Sequence, residues 1–209
     1  VMRLARLVSL ADFARDRRAA TSAEFALVLP LMLLFLLGII DVGRYAWNVN
    51  QLEKAAQMGV RFAVVTNPVE GGLTTTSYVG NTSCSGGVAL TPGDPICREA
   101  FGREVCTSAG CTCASSPCVS TSFQSAAFAN VLARVQDFAP SVAAANLNVE
   151  YAGSGIGYAA DPDMALAPVV TVALVDVDFT AISLLGITLS LPDVRRSLTM
   201  EDGTGSVSN

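Results

Sequence analysis

The sequence predicts an α+β protein: a long N-terminal transmembrane and stalk helix, then a small head with a second helix and an antiparallel β-sheet. Three observations carry that prediction. Phe25–Ile40 holds no charged residue, an apolar stripe at helical spacing follows it directly, and the last third of the chain contains β-branched and alternating segments. With 209 residues, 51% hydrophobic and 15% charged, the chain is more apolar than an ordinary soluble domain, and one segment accounts for much of the excess.

Phe25–Ile40 alone covers only about 24 Å of a hydrocarbon core of about 30 Å, whereas residues 19–40 cover about 33 Å. Tyr45 and Trp47 then stand where interfacial aromatics anchor a spanning helix, and Glu24 lies just inside the lipid. Arg3, Arg6, Arg15, Arg17 and Arg18 precede the span against Asp12 and Asp16, while the remainder of the chain is strongly acidic. The positive-inside rule therefore places the N-terminus in the cytoplasm and the head outside it. No small-x-small cleavage site follows Ile40, which argues against an ordinary secretory signal.

The helix continues past the membrane. Leu52, Ala55, Ala56, Gly59, Phe62 and Ala63 recur at steps of three and four, with Gln51, Glu53, Lys54, Gln57 and Arg61 opposite. Small residues at Ala55, Gly59 and Ala63 admit a close helix packing partner, either another subunit's helix or the chain's own head. Asn67-Pro68 ends the helix.

Residues 67–119 are rich in Gly, Ser, Thr, Pro and Cys and read as a disulfide-pinned loop. Cys84, Cys97, Cys106, Cys111, Cys113 and Cys118 fall on the outer side, where thiols oxidise, and their pairing is open. A thiolate metal cluster is the alternative, but the run lacks CxxC spacing and the chain has no histidine. Residues 120–209 form the head. A helix over 120–138 presents Phe128, Val131, Leu132, Val135 and Phe138 on one face, and strands follow around 146–152, 169–179 and 194–200.

Catalytic chemistry finds little footing. The absence of histidine excludes Ser-His-Asp and Cys-His sites, and Gly153, Gly155 and Gly157 follow a strand without a helix-opening signal, so they read as a loop. Asp176 and Asp178, on one face of a strand by its period of two, and Asp161 and Asp163, in a turn, are candidate calcium ligands, weighed against plain solvated acids. No cofactor is implied, and the acidic outer part gives no basis for nucleic-acid binding.

The stretch "RRAATSAEFALVLPLMLLFLLGIIDVGRYAWNVNQLEKAAQMGVRFAVV", residues 17–65, resembles the TadE-like family of minor pilins or pseudopilins from the tight-adherence (Tad/Flp) type IV pilus system. Its most specific parts are Glu24-Phe25, "ALVLP" at 26–30, "GIIDVGR" at 38–44 and "AAQMGVRFA" at 55–63. The resemblance implies a pilin-like head and a basic class III leader at 1–19, cut by a prepilin peptidase between Ala19 and Ala20. The family has Gly before the cut, and this chain departs from it with Ala19. Glu24 and Phe25 would then be the fifth and sixth mature residues, the assembly and recognition pair, with Glu24 meeting the new terminal amine of a neighbouring subunit. On physical grounds alone Glu24 could instead snorkel to the interface. The implied partners are other Tad pilins, the prepilin peptidase, the inner-membrane assembly platform and membrane lipid, in a single-pass bacterial inner-membrane protein with a periplasmic head. A single-pass sensor or ligand-binding protein that uses the helix only as an anchor is the rival reading. The DxSxS metal motif of related TadG-type adhesion modules is absent.

Overall fold

The computed structural model describes residues 17–84, 86–119, 121–160, 166–183, 186–201 and 203. Helix α1 runs Arg17–Ala63 and contains Pro30, which removes one backbone donor, a loss that a membrane-spanning helix tolerates. Only 6% of its most apolar window is buried within the chain, so this half is not the core helix of a soluble domain. The helix stops before Pro68, with its last carbonyls taken up locally. The Val64 N–H donates to the Val60 carbonyl at 3.0 Å and the Thr66 hydroxyl to that of Phe62 at 2.9 Å.

The chain forms two compact units. One comprises α1 up to Tyr45 with Thr180–Leu189; the other comprises Ala46–Phe179 and the chain from Ser190 onward. In the second unit, strands β1 (Arg103–Thr107), β2 (Gly110–Ser115), β3 (Leu147–Ala152), β4 (Val169–Leu174) and the strand Val194–Thr199 form one antiparallel sheet. Its spatial order is β2-β1-β3-β4 and then Val194–Thr199 at the far edge. A separate two-stranded ribbon pairs β5 (Asp178–Thr180) with β6 (Thr188–Ser190), so the edge strand Val194–Thr199 is β7. Helix α2 spans Ser125–Gln136 and buries Ala127, Phe128, Val131 and Val135.

The sheet has one apolar and one polar face, as the period of two requires. Leu147, Val149, Tyr151, Val170, Val172 and Leu174 stand opposite one another across β3 and β4 and are all fully buried. Facing them is the stalk part of α1, where Leu52, Ala55, Ala56, Val60 and Ala63 are buried. At Gly59 a methyl group would come within 2.7 Å of Val135 on α2 and 3.4 Å of Val172 on β4. Glycine is therefore what lets α1, α2 and β4 meet, and the small-residue stripe is covered by the chain's own head. On the polar face Glu150 is buried between Arg195, at 2.7 Å, and Arg103, at 3.3 Å.

Two sequence expectations differ from the structure. The segment 67–119 read as loop contains β1 and β2, which belong to the sheet. The run 169–179 read as one strand breaks after Leu174: Asp176 takes a φ of 52°, and the Asn146 side-chain amide donates to the carbonyls of Val175 and Asp176. Asp176 and Asp178 therefore do not share a continuous strand face. Asp161 and Asp163 lie outside the described residues.

Candidate functional site

The surface most distinctive for function is the exposed half of α1. Phe25, Leu27, Leu31, Phe35, Ile39 and Val42 each leave more than half of their surface uncovered by the chain. A continuous apolar surface on a helix of spanning length needs lipid or another helix around it. Glu24 is exposed on this surface beside Phe25, and Ala19 and Ala20 lie within the helix backbone. Asp41, at the other end of the apolar run, is buried.

The same stretch matches a known family model. Residues 19–61 match the model described as TadE-like protein. This segment of the chain is similar to TadE-like proteins. The match takes in Ala19, Ala20, Glu24, Phe25, Ala55 and Gly59 and stops short of Ala63. The TadE-like segment thus comprises both an exposed, lipid-length half and a half buried in the head, and membrane spanning belongs to the first. No curated protein and no solved structure matches the chain.

Beyond the TadE-like helix, the cysteines are oxidised as Cys84–Cys97, Cys106–Cys111 and Cys113–Cys118. The second bond joins directly opposed residues of the β1–β2 hairpin. Glu70, Cys106 and Cys111 bring ligand-type atoms within 4.8 Å of one another, but both sulfurs are committed to a disulfide and offer no thiolate.

The head also holds an acidic cluster that no sequence motif announces. Glu70 is fully buried, and one carboxylate oxygen accepts the backbone N–H groups of Gly72, at 2.9 Å, and Ser122, at 2.6 Å. Tyr151 accepts the Val69 N–H at 2.8 Å, so this corner is tied to β3. Glu104 on β1 is equally buried, and among the described residues no donor reaches either of its oxygens with full hydrogen-bond geometry. Burial, and then the charge of Glu70, push its pKa up to about 7, against a weaker opposing pull from the Val119 N–H. The buried Tyr78 hydroxyl has no partner among the described residues, and burial together with the Glu104 charge raises its pKa. Hydrogen-bond geometry makes Glu70 a structural brace. Glu104 is a carboxyl kept neutral over much of the acidic range.

Gly153 owes its identity to packing: a methyl group there would collide with the carbonyl oxygens of Arg98 and Phe101. Among the described residues, neither this loop nor the acidic cluster forms a nucleophile-base pair.

Proposed function

We propose that this chain is a minor pilin or pseudopilin, cut by a prepilin peptidase between Ala19 and Ala20, that takes part in priming or capping Tad/Flp pili for surface adherence. The observation that carries the reading is the TadE-like match lying on a helix whose apolar half the chain leaves uncovered, with Glu24 exposed near its start. In this reading the N-terminus faces the cytoplasm, the head faces the periplasm, and the chain waits in the bacterial inner membrane until the assembly platform and other pilins take it up. The oxidised cysteines favour that placement of the head.

Glu24 supplies the register. A carboxylate at the lipid boundary costs on the order of 1 to 3 kcal/mol when it has no partner. Cleavage before Ala20 creates an α-ammonium, and docking a neighbour's amine against Glu24 removes that cost from both subunits. The charge that opposes solitary insertion thereby favours association.

The test is the mature N-terminus of membrane-extracted protein, together with a Glu24→Gln variant. Mature protein should begin at Ala20. The variant should insert and be cleaved normally yet lose crosslinks to co-expressed pilins and at least about tenfold in piliation, since removing one partner of a partly buried pair costs several kcal/mol. Uncleaved chain beside an active peptidase, or normal piliation by the variant, would refute the processing and the pairing role respectively.

A further inference from the structure

Asp41 is closed off by Ser183 of the ribbon tip and by Arg44 of its own helix, and the tip around Ser183 is apolar. One Asp41 oxygen accepts the Ser183 N–H at 2.6 Å and the other the Arg44 guanidinium at 2.9 Å, leaving Asp41 only 7% exposed. Arg44 also reaches the Thr180 carbonyl at 3.4 Å. The tip is closed by backbone bonds from the Ala181 N–H to the Ile187 carbonyl and from the Gly186 N–H to the Ala181 carbonyl, both 3.1 Å, with Gly186 at a φ of 87°. Thr180–Leu189 contains no charged residue. Around this anchored backbone, Ile182 and Ile187 are each 54% exposed and Leu189 is 42% exposed.

The position of the anchor decides what covers these side chains. Asp41 directly follows Ile40, the last residue of the uncharged run, so a group bonded to Asp41 sits where the helix leaves the hydrocarbon. Ile39, Ile40 and Val42 are exposed on α1 in the turn around Asp41, so the tip is bonded to the helix at the level of its last exposed apolar residues. We infer that Ile182, Ile187 and Leu189 form a second membrane contact, a foot held in the outer interfacial layer of the bilayer by the bond from Ser183 to Asp41. Water would leave three large aliphatic groups exposed next to a lipid surface, whereas the headgroup-acyl boundary accepts such groups and also hydrates the polar backbone of a turn. Asp41 then serves as the clasp that fixes the depth of the foot. The inference rests on the membrane-spanning reading of α1 and is independent of any role in a pilus.

The test uses the full chain in vesicles of phosphatidylethanolamine and phosphatidylglycerol, with a photoreactive amino acid placed in turn at Ile39 and at Ile187. Lipid adducts are expected at both positions in comparable yield. Asp41→Ala, and separately Ser183→Pro, which deletes the donor without touching the helix, should cause a several-fold loss of adduct at 187 and none at 39, while the cysteines stay closed to alkylation. Lipid labelling at 39 with no adduct, or only protein adducts, at 187 would overturn the foot and leave the span standing. Unchanged labelling at 187 in both variants would overturn the clasp. Failure to label lipid at 39 would remove the span and the foot with it.

Discussion

The two halves of helix α1 are similar in secondary structure and opposite in surroundings. Leu33, in the first half, is 50% exposed, whereas Leu52, in the second, is 2% exposed. Both are leucines in one uninterrupted helix, so propensity does not separate them; what covers each side chain does. Among the described residues the first half has no apolar partner, so it requires lipid or another helix. The second has its partner in α2 and the sheet, and its small residues are spent on that contact. A helix can therefore carry a family signature over its whole length while its two ends serve membrane insertion and head folding.

The largest expected effects break this contrast directly. Leu52→Ala should cost the head about 2 to 5 kcal/mol, as for other fully buried leucines, whereas Leu33→Ala should leave head stability unchanged. Denaturant midpoints of the detergent-solubilised protein compare the two, and equal losses would mean that the halves are not distinct. Next comes Cys84→Ser with Cys97→Ser. Loop-closure entropy for a bridge of this span is worth about 3 kcal/mol, which should appear as a lower head melting temperature without loss of membrane extraction behaviour.

Glu104 tests how dry the head interior is. Its pKa is raised from 4.5 to about 7, so the folded state holds a proton that the unfolded chain has released between those values. Stability should therefore be fullest below about pH 4.5 as far as this group is concerned, and fall as pH rises toward 7, by about 1 to 3 kcal/mol in all. Glu104→Gln should flatten that slope in melting curves taken across pH 5 to 8. An unaltered slope would mean that Glu104 does not carry it. Smaller again is Arg196→Ala. It breaks a half-exposed ion pair with Glu53 at 2.9 Å and should cost under about 1 kcal/mol, an effect that salt should mask.

How much of this was legible in the sequence depended on which residues carried the core. The long helix, α2 and β3 announce themselves through Leu, Val, Phe and Tyr at the right periods. Strands β1 and β2 do not, because their core-facing positions are held by Glu104 and Cys106 on β1 and by the half-buried Cys111 on β2, which a hydrophobicity pattern scores as polar or as disulfide framework. The break at Asp176 was hidden for the opposite reason: β-branched neighbours favour a strand, and the interruption comes from a distant side chain, Asn146. The acidic cluster joins Glu70 to Glu104 only through tertiary contact, and the Asp41 clasp uses a backbone donor far along the chain. No local pattern encodes either. Glu24 and Phe25 are singled out by resemblance to a family, and neither packing nor hydrogen bonding within the chain marks them.

The arrangement of the sheet limits how copies of this protein can join. Both outer strands are defended against adding another strand. At one rim β2 carries Cys113 of the Cys113–Cys118 bridge, and at the other β7 carries Arg195 and Arg196 on its two opposite faces, paired with Glu150 and Glu53. Charged side chains along an edge strand are a known means of discouraging strand addition, and the cross-link stiffens the opposite rim. A head built this way resists edge-to-edge strand addition even at high local concentration.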